Sequence, residues 1–373
     1  MTTAASPRPD GGPLRTAIIG GLQAVNVLLP AFHAQPGFQV TTLCARNTAP
    51  LAPLAQKFSV ATVCAQWEQI ANDPSIDVVA LAVPASVQGP VALGLAQAGK
   101  HLFCEKPLAA NYADAERIVM AMAVSGRRAI VHFGFRFVPA FAALEEIIRN
   151  GELGRPQMVQ VEWHLATRRD ASLSWNWKSD ASLGGGTFNL MASHVLDYLG
   201  WWFGGIREME LLPTTILTSR PDAVSGQPKA VVADDTCQGL LALGQGVPAN
   251  FSISTALPVG GNHRIRVWFE KGRLELANAA TDDTYDGFKL HFTPVKSATE
   301  VPPLTARLVA ATHAGQPPVT RVSIAQSVVR ALAEAIRSGQ DQAPTLADGL
   351  RVQHWQDVAR QKAGHWTGPT QQK

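Results

Sequence analysis

One short stretch constrains the fold of this chain most strongly: an apolar run over residues 101–104 that ends abruptly in Glu105, Lys106 and Pro107. Such a run is long enough for one buried strand, and proline, which has no N–H to donate, ends it. In an open parallel sheet the ligand crevice lies beyond the carboxyl ends of the strands, so a charged pair at this place faces a bound molecule. The alternative is an ordinary surface ion pair, which is the usual state of charged residues in loops.

The length and composition narrow the class of protein. A chain of 373 residues with 46% hydrophobic and 16% charged residues predicts a globular protein of two domains. A net charge of +3 without a Lys/Arg cluster gives no reason to expect a nucleic-acid or membrane partner. The four cysteines are dispersed, which predicts reduced thiols, a cytoplasmic location and no metal site. Residues 1–13 are predicted to be a disordered tail rather than a signal peptide, and no apolar run is long enough to span a bilayer.

Short apolar strands alternate with helices through the first third of the chain. The pattern predicts strands at 16–19, 38–44, 61–64, 77–83, 101–104 and 129–135, with helices at 25–29, 51–58, 67–72, 87–98 and 111–125. Alternation of this kind at short spacing indicates an α/β domain with a doubly wound parallel sheet.

The first predicted strand runs directly into Gly20 and Gly21. Strand, glycine turn and helix is the opening of a dinucleotide-binding domain, in which backbone N–H groups at a helix N-terminus meet a pyrophosphate. Leu22 and Val25 occupy the second and third glycine positions of the usual pattern, so the turn alone is a weak signal. We predict that Gly20, Gly21, Leu22 and Gln23 contact a dinucleotide.

Several motifs of the chain together resemble the glucose-fructose oxidoreductase and inositol dehydrogenase (Gfo/Idh/MocA) family. They are Ala17-Ile18-Ile19-Gly20, Asp77-Val78-Val79 with Pro84, Ala98-Gly99-Lys100-His101, Glu105-Lys106-Pro107, Gly134-Phe135-Arg136-Phe137 with Pro139, Gly151-Glu152-Leu153-Gly154 and Gly184-Gly185-Gly186. The resemblance implies a Rossmann domain over residues 14–135. It also implies a substrate-binding and oligomerisation domain of α+β type over 136–373, with C-terminal helices and an open, mainly antiparallel sheet.

The resemblance also implies roles for particular side chains. Lys106 is expected to exchange a proton with the substrate or to polarise the reacting oxygen, while Glu105 positions it. A lysine partly desolvated beside a cofactor can have its pKa brought toward neutrality, where proton transfer is fast in both directions. The predicted cofactor contacts in this part of the chain are Pro84, Ala85, Gln88, Glu105, Lys106 and Arg136.

A glycine run at 184–186 opens a predicted helix that carries His194. In the resembled family this helix has an Asp four residues before the His, but here that position is Leu190. Asn189 is adjacent and is predicted to contact substrate, although it points about 100° away on an α-helix. His194 is predicted to hydrogen-bond the reacting oxygen or to relay the proton. The alternative is a buried core histidine tied to Asp197.

The loop after the strand predicted at 157–164 is rich in tryptophan and arginine. Apolar ring faces with a polar rim suit a sugar or another ring-shaped polyol, and nearby cations suit a carboxylate or phosphate. The alternative is that the rings simply fill the core. The predicted substrate contacts are Lys106, Trp163, His164, Arg168, Trp175, Trp177, Asn189 and His194.

The remainder of the second half predicts strands at 236–243, 249–255, 264–269 and 273–276, as in an antiparallel meander, and helices at 323–338 and 349–362. Asp234 and Asp235 precede the first of these strands. They admit an interpretation as paired catalytic carboxylates, but a solvated pair is the more common state.

The end of the second predicted strand bears on the choice of nicotinamide cofactor. An acid at this place accepts hydrogen bonds from the ribose of NAD and repels the 2′-phosphate of NADP. Alignment with the family puts Ala45 there, followed by Arg46 and Asn47, and an arginine suits a phosphate. We therefore predict that these three residues contact the cofactor and that NADP is preferred to NAD. The alternative is that Arg46 stacks on the adenine, which leaves both cofactors acceptable.

The function predicted from the sequence is transfer of a hydride between nicotinamide C4 and a secondary alcohol or carbonyl of a sugar, cyclitol or related compound. The protein is expected to be a homo-oligomer, a dimer or tetramer, that associates through the C-terminal sheet. Two alternatives remain open. One is an NAD-dependent glycoside hydrolase, which needs a further base. The other is a non-catalytic dinucleotide sensor, which the residues at Leu22, Val25 and Leu190 favour.

Overall fold

The computed structural model describes residues 11–21, 23–261, 263–278, 284–296, 301–313 and 318–363. The chain divides into two compact units. The first comprises the residues up to Gly134 together with Thr320–Gln353, and the second comprises Phe135–Val319 and the residues from His354. The sequence prediction puts the first boundary after residue 135, one residue beyond this division. The segment 320–353, which the sequence interpretation gave to the second domain, belongs with the first unit.

The first unit is built on a six-stranded parallel sheet of order β3-β2-β1-β4-β5-β6. Its strands are β1 (Leu14–Gly20), β2 (Phe38–Cys44), β3 (Thr62–Cys64), β4 (Val78–Ala82), β5 (His101–Cys104) and β6 (Ala129–Val131). The neighbouring strands β4 and β5 are almost wholly buried, as their continuous apolar runs predicted. The strand order confirms the doubly wound α/β sheet expected from the alternation.

Helices connect these strands. They are α1 (Leu29–His33), α2 (Ala52–Lys57), α3 (Trp67–Asn72), α4 (Ala85–Gln97) and α5 (Tyr112–Ser125). A π-helical segment, Ala24–Leu28, leads directly into α1. Asn111, which the sequence placed inside α5, is instead its N-cap and accepts a hydrogen bond from the Asp114 N–H.

The second unit contains a seven-stranded mixed sheet of order β15-β14-β13-β7-β12-β11-β8, in which only β7 and β12 pair in parallel. Its strands are β7 (Pro156–His164), β8 (Ile206–Thr214), β11 (Thr236–Leu243), β12 (Pro248–Ser254), β13 (His263–Phe269), β14 (Gly272–Ala277) and β15 (Lys289–Pro294), with a separate hairpin of β9 (Ser219–Pro221) and β10 (Pro228–Ala230). Each of β7, β11, β13 and β14 alternates buried and more exposed residues, so one face of the sheet is buried.

The helices of the second unit are α6 (Pro139–Asn150), α7 (Ser193–Phe203) and α8 (Pro303–His313). Two further helices close the chain: α9 (Arg321–Ser338), in the first unit, and α10 (Leu346–Ala363), which runs across the division. The helix α9 buries an apolar stripe from Ile324 to Ile336 and packs against α1, β5 and β6, which accounts for its place in the first unit. Among the described residues, no helix is long and apolar enough to cross a membrane.

Candidate active site

The candidate site in the first unit is the turn that follows β5. The Glu105 N–H donates to the Leu81 carbonyl at 3.0 Å, which continues the β4–β5 ladder by one residue before the chain turns at a cis Lys106-Pro107 bond. The Gln88 side chain, on α4, then fixes the turn. Its Nε2 lies 2.5 Å from the Glu105 carbonyl oxygen, 3.0 Å from that of Pro107 and 3.2 Å from that of the next residue. The lysine therefore follows a buried strand in a turn fixed by a buried amide.

The Glu105 side chain is 13% exposed and is held by two polar neighbours. His132 Nδ1 lies 2.8 Å from its Oε1, and Gln23 Nε2 donates to the same oxygen at 3.4 Å. Burial pushes the pKa of Glu105 upward, but the charge and hydrogen bond of His132, with Lys106 and Gln23, outweigh it and leave the pKa below its usual value. An ionised carboxylate therefore lies next in sequence to the lysine. Gln88 and Gln23 were both predicted to touch a cofactor, and here both are tied to the Glu105 segment.

The glycine turn lies at the carboxyl end of β1. A β-carbon on Gly20, whose φ is +145°, would lie 2.2 Å from the Ala82 carbonyl oxygen, so the approach of β1 to β4 requires glycine. Gly21 is exposed, and no atom lies within 4 Å of where its β-carbon would be. Its backbone is therefore accessible at the start of a helix, as binding of a pyrophosphate requires, and the turn fits a dinucleotide. Val25, at the third glycine position, is buried, and Leu22 lies outside the described residues.

The three residues after β2 lie at the same edge of the sheet. Ala45 is half-buried, while Arg46 and Asn47 are exposed, so a ligand can reach the guanidinium. Asn47 also accepts a hydrogen bond from the Ala49 N–H at 3.2 Å, which shapes the turn locally. After β4, Pro84 is the N-cap of α4, and Ala85 is its buried first residue.

The candidate site in the second unit centres on His194, which is 6% exposed. The Phe135 ring meets the imidazole edge to face at 5.1 Å between ring centres, and Trp163 lies at 6.2 Å. Trp163 in turn stacks on His263 at 4.2 Å, and burial lowers the pKa of His263 to about 3. The neighbourhood of His194 is thus aromatic, and the imidazole of His263 is neutral.

The carboxylate of Asp197 is held by Arg136 in a two-point ion pair. Arg136 Nε lies 3.0 Å and Nη2 2.5 Å from the two carboxylate oxygens, and both side chains are nearly buried. A paired buried arginine holds a planar partner firmly. Arg136 was predicted to contact the cofactor. In this structure its guanidinium fixes α7, the helix that carries His194.

The segment before His194 departs from the α-helix on which the sequence argument relied. Phe188–Ala192 is a π-helix, which α7 continues. Hydrogen bonds in a π-helix join residues i and i+5, so the α-helical spacing assumed for Leu190 and the rotation of about 100° assumed for Asn189 do not apply. Asn189 is fully buried and donates to the Gly184 carbonyl at 2.6 Å, whereas Leu190 is half-buried.

The Asp234 carboxylate caps this π-helix by accepting a hydrogen bond from the Phe188 N–H at 2.7 Å. Burial raises the pKa of Asp234 to about 6. Asp234 is half-buried, whereas Asp235 is buried and accepts from the N–H groups of Ile216 and Leu217. The sequence favoured a solvated pair here, and that prediction is wrong because both carboxylates bond backbone N–H groups inside the unit.

The loop after β7 is fixed by arginine. Arg220, in β9, is almost fully buried and donates to the carbonyls of Arg168 at 2.5 Å and Asp170 at 2.8 Å, while Arg168 donates to Ser179. Burial lowers the pKa of Arg168, and Arg220 adds to this. The predicted cation is thus part of the loop's own framework.

The predicted aromatic contacts of this loop separate into buried and half-buried rings. Trp175 is half-buried, donates to the Ala230 carbonyl and lies 3.5 Å from Lys229 Nζ. Trp177 is also half-buried, whereas Trp163 is buried. His164 Nε2 lies 3.0 Å from the Ser252 hydroxyl.

Some residues around these sites were not found from the sequence. His132 lies 27 positions after Glu105, and Phe135 lies 59 positions before His194, so no local pattern joins either residue to its neighbour. The one available signal was a histidine in the middle of the apolar strand predicted at 129–135. Within the described ranges, no group of three or more His, Cys, Asp or Glu side chains is placed to hold a metal ion.

A parallel sheet with a glycine turn at the carboxyl edge of its first strand is typical of the Rossmann class of dinucleotide-binding proteins. Comparison with known families agrees. Residues 14–133 match the oxidoreductase family with an NAD-binding Rossmann fold, and residues 141–275 match the GFO/IDH/MocA C-terminal domain. The chain belongs to the Gfo/Idh/MocA family of NAD-binding oxidoreductases.

Individual relatives are dehydrogenases and oxidoreductases. An uncharacterised oxidoreductase of Synechocystis sp. is 28% identical over 359 residues, which cover 95% of each chain. The inositol 2-dehydrogenase of Acidothermus cellulolyticus is 31% identical over 231 residues, 60% of this chain and 61% of that one. Among solved structures, levoglucosan dehydrogenase in complex with NADH and L-sorbose superposes with a TM-score of 0.79 at 20% identity, covering 95% of this chain and 97% of that one, and so shares the fold.

Proposed function

We propose that this protein transfers a hydride between nicotinamide C4 and a secondary alcohol or carbonyl of a sugar, cyclitol or related polyol. The observation that carries the proposal is the Lys106 turn, which follows a buried strand and is held by Gln88 beside an ionised Glu105. Relatives named for inositol and levoglucosan support the substrate class.

The bound cofactor supplies the hydride acceptor or donor, and the protein supplies orientation and a proton. Lys106 Nζ takes the hydroxyl proton when the alcohol is oxidised and returns it when the carbonyl is reduced. His194 is proposed as a second hydrogen-bonding group for the same oxygen. The proposed substrate contacts of the second unit are Trp163, His164, Arg168, Trp175, Trp177 and Asn189.

Arg46 carries the proposed preference for NADP. It is exposed directly after β2, and the residue before it is Ala45 rather than an acid. A guanidinium can pair with a 2′-phosphate, and no carboxylate at position 45 repels it. We also propose that the protein acts in the cytoplasm as a homo-oligomer formed through its C-terminal sheet.

The experiment is a stoichiometric assay. The purified protein is incubated with NAD⁺ or NADP⁺ and a panel of inositols, aldoses and anhydrosugars, while the reduced nicotinamide is followed by absorbance and the organic product by mass spectrometry. The proposal expects one reduced cofactor per carbonyl formed. Product without net reduction indicates a glycoside hydrolase, and cofactor binding without turnover on any polyol indicates a sensor; either result contradicts the proposal.

A further inference from the structure

Three polar side chains form a chain of contacts at the carboxyl edge of the first unit's sheet. Gln23 follows the glycine turn after β1, Glu105 follows β5, and His132 follows β6. Glu105 Oε1 joins the other two, at 3.4 Å from Gln23 Nε2 and 2.8 Å from His132 Nδ1. Because β4 lies between β1 and β5 in the sheet, the contact of Gln23 with Glu105 links two strands that do not pair, whereas His132 follows the strand that pairs with β5.

The direction of the shorter contact follows from the charge of the carboxylate. Glu105 stays ionised because His132, Lys106 and Gln23 outweigh the effect of burial on its pKa. An ionised carboxylate only accepts hydrogen bonds, so His132 Nδ1 carries the proton and donates it. The other ring nitrogen, Nε2, is buried and has no hydrogen-bond partner among the described atoms. The hydrogen bond between His132 and Glu105 therefore orients both the imidazole and the carboxylate.

We propose that His132 is a positioning residue for the reaction: by donating from Nδ1 it holds the Glu105 carboxylate in place and ionised beside Lys106. The proposal rests on the function proposed for Lys106. His132 acts only through Glu105, since its own side chain is 3% exposed. The interaction is charge-assisted and nearly dry, the setting in which a hydrogen bond fixes geometry most firmly.

The same sheet offers a matched control in His101. It is the first residue of β5, at the opposite end of the strand from Glu105, and it is equally buried. Its Nδ1 lies 2.9 Å from the Arg128 backbone nitrogen and accepts that N–H, so it contacts no carboxylate there. Substitution of His101 reports what the loss of a buried histidine does to the sheet alone.

The experiment compares His132→Leu, His132→Asn, His101→Leu and His101→Asn in the full chain. Asparagine puts an amide N–H close to the position of Nδ1, whereas leucine keeps bulk and removes the donor. We expect His132→Leu to lower kcat by about tenfold or more, and His132→Asn to restore it to within about threefold of wild type. The two His101 variants should lower Tm without changing kcat.

Cofactor affinity, measured by fluorescence titration without substrate, should fall at least about threefold in His132→Leu and less in His132→Asn, because Gln23 is bonded to the same carboxylate.

The pH dependence of kcat separates the proposed role of His132 from a purely structural one, because a structural residue would not shift it. The charge of Glu105 interacts with His132, Lys106, Gln23 and Cys104. The Cys104 thiol is neutral because burial raises its pKa to about 12. Without His132 the carboxylate protonates more readily, the Lys106 ammonium loses a stabilising charge, and the acid limb of kcat for alcohol oxidation moves to lower pH. Glu105→Gln should produce the same direction of shift, and it serves if His132→Leu does not fold.

The outcomes separate this inference from the function on which it rests. If Lys106→Ala abolishes turnover while His132→Leu keeps the wild-type kcat and pH profile, the His132 proposal is wrong and the proposed function stands. If His132→Asn is as damaging as His132→Leu, the hydrogen bond is not what matters, and the proposal is also wrong. If Lys106→Ala itself turns over normally, the proposed function fails.

Discussion

Lys106 lies in a turn that polar side chains hold, whereas His194 lies among aromatic rings. Gln88, Glu105 and His132 fix the first site through hydrogen bonds at 2.5–3.2 Å. At the second site, the Phe135 ring has seven aromatic neighbours among the described residues, with centres at 4.7–6.1 Å, and the imidazole of His194 is one of them. Hydrogen bonds specify a geometry at modest net stability, while buried rings supply much of the stability of a core. Substitutions in the first site should therefore change rate, and those in the second should change stability.

The largest effect is expected at Lys106. Lys106→Ala should lower kcat by about two to four decades, the usual size of a general acid–base contribution, and should leave Tm nearly unchanged because the side chain is only half-buried. Steady-state kinetics and thermal unfolding of the same preparation check both parts. A large drop in Tm would remove the contrast between the two sites.

The opposite behaviour is expected at Phe135. Phe135→Ala should lower the free energy of unfolding by about 3–5 kcal/mol, because it leaves a cavity among the surrounding rings. Phe135→Leu, which keeps much of the volume, should cost clearly less. Denaturant unfolding measures both, and an alanine variant as stable as wild type would show that the cluster does not support the second unit.

A substitution of Asp234 tests how its carboxylate stabilises the π-helix at Phe188–Ala192. Its pKa is raised to about 6, above the value near 4 of an unfolded chain, so its contribution to stability is full below pH ~4 and is lost as pH rises through about 6. Asp234→Asn keeps an oxygen that accepts the hydrogen bond from the Phe188 N–H, and it removes the loss of stability that ionisation of the carboxyl causes. We expect the variant to be more stable by about 1–3 kcal/mol above this range, with a flatter dependence on pH. Unchanged pH dependence in denaturant titrations would contradict the assignment.

His194 is the exception to this division, because it lies among aromatic rings and is also proposed to act in the reaction. His194→Asn should lower kcat at least about tenfold and flatten the acid side of the pH profile, because the imidazole is proposed to act on the reacting oxygen. Kinetics at several pH values, with circular dichroism as a control for folding, decide between roles. If the substitution mainly unfolds the protein, His194 is a core residue of the aromatic cluster.

The smallest effect is expected at Arg46, an exposed residue that belongs to neither of these two sites. NADP(H) should bind at least about tenfold tighter than NAD(H), about 1.4 kcal/mol, and Arg46→Ala should erase most of that difference. Titration of both cofactors at several salt concentrations measures it. Equal affinities in the wild-type protein, or a preference for NAD(H), would show that Arg46 does not select the phosphate.

The two sites also differed in how far the sequence predicted them. The strands Phe38–Cys44 and His101–Cys104 have the predicted bounds, because apolar runs closed by polar or proline residues mark strand ends directly. The π-helix at Phe188–Ala192 was missed, since a bonding pattern from i to i+5 leaves no mark in the periodicity of a short segment. The pairing of Glu105 with His132 depends on strand order, which brings distant residues together and which local patterns do not encode.

The central claim is that the Lys106 amine carries a proton, and chemical rescue tests it most directly. The Lys106→Ala variant is assayed with added ethylamine and, in parallel, with tetramethylammonium, a cation that holds no transferable proton. We expect turnover to rise with ethylamine concentration and with the basicity of other primary amines, and to stay low with the quaternary ion. No rise with any primary amine, or an equal rise with tetramethylammonium, would contradict proton transfer by Lys106.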